Sequence, residues 1–227
     1  MNRLALFDCD GTLVDAAANI CRAVEDSFAA HRLDPPARAA IHRIVGLSLA
    51  EAMAELHPAG ETALHLTLTE TYKTCFRAMR ETPDFAHEPL YPGIVDALVA
   101  LRDAGWLLGV ATGKSDRGLA ILLAQHDIAH HFVTLQTADR HPSKPHPAMA
   151  LAAIAEAGAA PETTVVIGDT SYDMAMAVAA GAQAIGVDWG YHPPRELVVA
   201  GATRIVTHAD QLHEALSASL ARPISAA

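Results

Sequence analysis

A chain of 227 residues, half of them apolar, is long enough to bury a sizeable core in one domain or in a domain carrying an insertion. Its formal charge of −10 argues against a nucleic acid or an anionic membrane surface as the main partner, because both reward clustered Lys and Arg. An anionic small molecule fits only where local cations offset that global field. Three cysteines, Cys9, Cys21 and Cys75, are too few and too scattered for a disulfide framework or a zinc site, which suits a reducing cytoplasm. No signal peptide is read at the N-terminus, no apolar run approaches the roughly 18 residues of a spanning helix, and the thirteen histidines lack metal-ligand spacing.

Taken in chain order, the first predicted element is a strand at 4–8. Helical patterns follow at 16–31, 37–44, 49–56 and 61–80, broken at Asp34-Pro35-Pro36, at Gly46 and at 58–60. A helix at 93–104 then precedes a regular alternation. Strands are expected at 107–112, 132–135, 163–167, 182–187 and 203–206, with helices at 115–126, 148–157, 172–180, 194–200 and 209–220. The strand runs are largely apolar, as strands buried on both faces should be, so the alternation predicts an α/β fold with a doubly wound parallel sheet. About a hundred residues separate the first two strands, whereas a βαβ unit closes in roughly 30. The excess is read as an inserted helical subdomain with hinges near 13–15 and 82–89, and the tail after Arg222 is read as loose.

Polar residues collect where the strands end. Asp8 and Asp10 follow the first strand, Thr112 and Gly113 close the second, Lys144 precedes Pro145, and Asp169 and Asp173 follow the fourth. One strand-ending aspartate is weak evidence, since Asp is a common cap and turn residue. In a parallel sheet, however, all these positions converge on one edge. Two carboxylates about 4 Å apart repel by roughly 4 kcal/mol at an effective dielectric of 20, and up to four share this edge. They call for a cation, and oxygen donors without His or Cys suit Mg²⁺. A dianionic phosphate could then approach a carboxylate, with Lys144 adding charge, Thr112 a hydroxyl, and the turn at Gly11 its backbone N–H groups.

These same residues resemble the haloacid dehalogenase superfamily. "DCDGTLVD" is similar to its first motif, "VATGKS" to its second, "SKPHP" to its third and "IGDTSYDM" to its fourth, in order and over nearly the whole chain. The resemblance implies a Rossmann-like core at 1–14 and 83–227 with a helical cap at 15–82. Within subfamily IA the text resembles the phosphoglycolate phosphatase group, on Arg43 and Gly46 in "HRIVGLSL" and on "GVDWGYHP".

The resemblance also implies roles. Asp8 would be the nucleophile that forms an aspartyl phosphate, and Asp10 the acid and then base. Mg²⁺ would take the Asp8 carboxylate, the Asp10 backbone carbonyl and Asp169, with Asp173 in support. Thr112 and Lys144 complete the catalytic set, while Gly11, Thr12, Gly113, Lys114 and Arg43 would meet substrate. Asp10 favours phosphoryl transfer over dehalogenation, whose leaving halide needs no proton, and the lack of lysine at 15–71 argues against a phosphonatase Schiff base. The expected partner is a small phosphorylated metabolite, with a monomer or homodimer left open.

Alternatives are a sugar-phosphate mutase or pyrophosphatase on the same core, and a phosphate-sensing regulatory protein without turnover. Lys114 either touches substrate or balances the acids, or else is a solvated helix-start residue. Arg22, Arg32, Arg38, Arg77 and Arg80 read as solvated faces, Cys9 as a core residue, and Trp189 and Tyr191 as lining the site or merely packing.

Overall fold

The computed structural model describes residues 1–82, 85 and 87–220. The tail expected to be loose after Arg222 and part of the second hinge lie outside these residues. In chain order the elements are β1 (Asn2–Phe7), α1 (Ala17–Ala30), α2 (Arg38–Ile44), α3 (Leu49–Leu56), α4 (Thr62–Arg80) and α5 (Ile94–Asp103). They continue with β2 (Trp106–Thr112), α6 (Asp116–Gln125), β3 (Phe132–Thr137), α7 (Ala148–Glu156) and β4 (Ala159–Gly168). The chain closes with α8 (Ser171–Ala179), β5 (Gln183–Val187), α9 (Pro194–Val199), β6 (Arg204–Val206) and α10 (Leu212–Leu220).

The six strands form one parallel sheet in the order β3-β2-β1-β4-β5-β6. Because the chain runs outward to β3 and then returns to β4 on the far side of β1, the winding reverses between β1 and β4. That reversal opens a crevice at the carboxyl ends of these two strands. Alternation along β1 supplies both faces of the core: Ala5, Phe7 and Cys9 enter one apolar cluster, Leu4 and Leu6 the other. Cys9 is therefore a buried core residue, as expected, and burial pushes its thiol pKa well up.

β4 begins earlier than its apolar run suggests. Pro161 and Glu162 interrupt the pattern, but the early segment pairs Asn2 with Ala159 before the register shifts to Leu4 with Thr164. Proline is tolerated near a strand's start, where no central ladder bond is lost.

Helices α1 to α4 occupy the interval between β1 and β2. Phe28, Ile41, Met53 and Leu68 bury their apolar faces against one another. The Ser27 hydroxyl donates to Leu68 O at 2.9 Å, tying α1 to α4. The two connections to the sheet run side by side: Asp15 N donates to Pro89 O at 2.9 Å, and Tyr91 N to Leu13 O at 3.0 Å. Among the described residues no helix is long and apolar enough to cross a membrane.

Candidate active site

Each acid owes its place to a strand end. Asp8 follows β1 and Asp169 follows β4, so they flank the crevice where the winding reverses. Asp173 lies one helical turn beyond Asp169 in α8, where it closes a capping box: its Oδ2 accepts from Thr170 N (3.1 Å) and Thr170 Oγ1 (2.6 Å). The side-chain oxygens of Asp8, Asp169 and Asp173 come within 4.8 Å of one another, and all three residues are buried.

Lys144 holds this charge together. Its Nζ donates to Asp8 Oδ1 at 2.7 Å and to Asp173 Oδ1 at 2.6 Å, with the side chain wholly buried. Burial alone would lower the lysine pKa, but the carboxylates of Asp173 and Asp8 outweigh it and raise it. Burial pushes Asp8 the other way, from 3.8 up to about 7; Lys144 pulls against that shift and the neighbouring Asp173 adds to it. Asp169 is likewise raised well above the carboxylate range, chiefly by burial and then by the charge of Asp8. Asp169 is oriented on both oxygens, by Thr12 Oγ1 at 2.8 Å and Tyr191 N at 2.9 Å. Asp8 Oδ2 is different: it is buried with no hydrogen-bond partner among the described residues.

Asp10 belongs to a second charge group. Lys114 Nζ sits 2.9 Å from Asp10 Oδ1 and 3.6 Å from Glu88 Oε2, and all three side chains are largely buried. Lys114 therefore balances acids and is no solvated helix-start residue. Glu88 had no local sequence signal; it lies in the returning connection, and only the fold brings it to Lys114. Burial raises its pKa while Lys114 pulls it down.

The Thr112 hydroxyl accepts from Lys114 N at 3.2 Å and shares a cavity wall with Asp8 and Asp10. Contrary to the expectation that the turn at Gly11 offers its N–H groups to a phosphate, those of Gly11 and Thr12 donate inside the turn, to Val14 O and Cys9 O. Thr12 contributes through its side chain instead. Gly113 packs against the backbone of Leu47, where a Cβ would meet Leu47 O at 2.5 Å, so the lack of a side chain lets the α2–α3 loop press on the sheet edge. Arg43 does not reach the cavity: its guanidinium pairs with Glu196 at 2.6 Å, while its carbonyl accepts from Tyr172 and His192. Arg77 and Arg80, read as solvated faces, line the cavity. Trp189 packs on the first motif, donating to Thr12 O at 3.2 Å.

Gly11 has a backbone φ of +90°, and a Cβ there would lie 2.2 Å from Asp169 Oδ2 and 2.6 Å from the Tyr191 ring. Gly11→Ala is expected to displace Asp169 and to cost about 1–3 kcal/mol of stability, which thermal melting checks.

Residues 5–187 match the haloacid dehalogenase-like hydrolase family. The chain belongs to that family. It is 34% identical to the probable phosphatase IndB of Dickeya dadantii over 88% of this chain and 87% of that protein. It is 26% identical to a phosphoglycolate phosphatase of Mesorhizobium japonicum, covering 96% of each. The crystal structure of a predicted phosphatase from Clostridium acetobutylicum superposes with a TM-score of 0.85 at 26% identity, covering 96% of this chain and 99% of that one. The six-stranded parallel sheet with its flanking helices is thus the fold of haloacid dehalogenase-like phosphatases.

Proposed function

We propose that this hydrolase is a Mg²⁺-dependent phosphatase that cleaves a small phosphate monoester through an aspartyl phosphate on Asp8, in the manner of phosphoglycolate phosphatases. The observation that carries the reading is Asp8 Oδ2, a buried carboxylate oxygen without a partner among the described residues, on a residue that lines a cavity with Asp10, Thr112 and Lys114. The 15–82 helices would cap a core made of 1–14 and 83–227.

The donor set fits a hard divalent cation. Asp8, Asp169 and Asp173 offer oxygen alone, and their crowding is only partly offset by Lys144. When bound, Mg²⁺ would offset the negative charge that otherwise keeps a phosphate dianion from these carboxylates.

The chain's own residues then divide the work. Lys144 fixes the Asp8 carboxylate through Oδ1, leaving Oδ2 to attack phosphorus and form the acyl phosphate as the ester P–O bond breaks. Protonated Asp10 would give its proton to the departing alkoxide. Asp10 as carboxylate then takes a proton from the water that attacks phosphorus, releasing inorganic phosphate and restoring Asp8. Glu88 Oε2, 3.6 Å from the same ammonium, gives Lys114 a second carboxylate besides Asp10.

Phosphate release from para-nitrophenyl phosphate should require Mg²⁺ and stop with chelator; well-folded protein with no such activity would overturn the reading. The metal's effect on stability should depend on pH. Asp8 binds its proton more tightly folded than unfolded, so its contribution to stability is present below about pH 4 and is lost as pH rises through about 7. Mg²⁺ meets that lost stability only where Asp8 is ionised. Thermal melting should therefore give a larger Mg²⁺-induced rise in Tm at about pH 8 than at about pH 5.

A further inference from the structure

The cavity above Asp8 holds about 450 Å³, within the range of pockets that enclose drug-sized ligands. Its floor carries the charged chemistry described above, but much of its wall is apolar: Ile20, Leu47, Leu49, Tyr72, Phe76 and Ile121 all face it. A substrate as small as phosphoglycolate would leave that wall against water.

The mouth has a different character. Lys73, Phe76, Arg77 and Arg80 recur at the i, i+3, i+4, i+7 spacing that puts them on one side of α4, and all four line the cavity. Arg117, in the first turn of α6, lines it from the sheet side. Arg80 lies over the Phe76 ring, 4.8 Å from its centroid, and Lys73 pairs with Glu70 at 2.7 Å. Arg77 and Arg117 have no carboxylate partner among the described residues and are exposed. With Lys73 answered by Glu70 and Glu81 the carboxylate on the lining itself, the four cations leave this rim basic on a chain of net charge −10. Field lines from such a rim are focused into the cleft and favour anions.

We propose that the substrate is a phosphate monoester whose leaving group has an apolar, ring-sized body and ends in a second anionic group. The phosphate sits at Asp8, the body lies against Tyr72 and Phe76, and the far anion meets Arg77 and Arg117. This rests on the phosphatase reading above and narrows it to a substrate class that phosphoglycolate does not fit, since it has no apolar body between its phosphate and its carboxylate.

The test compares kcat/KM for phenyl phosphate, para- and meta-carboxyphenyl phosphate, and phosphoglycolate. The better carboxyphenyl ester should exceed phenyl phosphate about tenfold, the yield of two partly exposed charge pairs, and should exceed phosphoglycolate by more. In the Arg77→Ala/Arg117→Ala variant the carboxyphenyl-to-phenyl ratio should fall to about one. A preference for phosphoglycolate, or a ratio unmoved by the double substitution, overturns the proposal. Calorimetric binding of the same esters to Asp8→Asn protein reads the ratio without turnover. Selective binding by an enzyme that hydrolyses none of the esters would sink the phosphatase reading and uphold the assignment of the cavity; absence of selectivity there would sink the assignment alone.

Discussion

Asp8→Asn is expected to lower kcat by a factor on the order of 10⁴ to 10⁶, the range seen when a covalent nucleophile is removed from a site whose other groups remain. The amide is nearly isosteric and its oxygen can still accept from Lys144, which keeps its second partner, Asp173, at 2.6 Å. The missing element is the second anionic oxygen, Oδ2, which is buried without a partner among the described residues in the parent. Stability should move the other way. Burial and the neighbouring Asp173 make the ionised Asp8 carboxylate unfavourable enough to lift its pKa to about 7, so removing that charge relieves the metal-free fold. At about pH 8 without Mg²⁺, the variant's Tm should equal or exceed the parent's, while acid-quenched parent enzyme alone carries a phosphoryl group on the Asp8 peptide. A variant that keeps full activity would remove Asp8 from the mechanism. One that loses activity together with its cooperative melt would mark a structural role.

The opposite signs say something about how the site was legible. Acids that destabilise their own fold stand out in sequence because packing offers no reason for them: Asp8 and Asp169 end apolar strands that are otherwise buried on both faces. The same apolar runs made the sheet readable, and the long interval after β1 made the helical insertion readable by arithmetic alone. What escaped depended on distant pairings. Glu88 meets Lys114 only because the two connections of the insertion run side by side, and no local pattern encodes that. Arg43 points to Glu196, a residue 153 positions away, rather than into the cavity. For Arg77 and Arg80 a local signal did exist in their spacing with Lys73 and Phe76. A basic helical face, however, looks the same whether it meets water or a ligand cavity, and only the position of α4 over the sheet edge distinguishes the two.

Lys144→Met should produce the largest loss of stability of any substitution at the site. The side chain is wholly buried between Asp8 and Asp173, and methionine would fill its volume without its charge. Removing one member of a buried pair strands the other, at a cost of about 3–5 kcal/mol. For a chain of this size that is roughly 10 °C in Tm. The parent lysine titrates higher than usual because Asp173 and Asp8 outweigh its burial, so its stabilising charge is present throughout the accessible range. The pH dependence of the loss is therefore set by its partners. Below about pH 5 Asp8 is protonated in the parent and less negative charge needs compensation, whereas above about 7 it is ionised. The Tm gap between parent and variant should thus widen as pH rises from about 5 to about 8, and Mg²⁺ should close part of it at the upper end. Activity should fall at least a hundredfold at either pH, because Asp8 loses the donor that orients its Oδ1. A gap that stays constant with pH would mean that methionine costs packing alone and that Lys144 does not hold the charge of the acids.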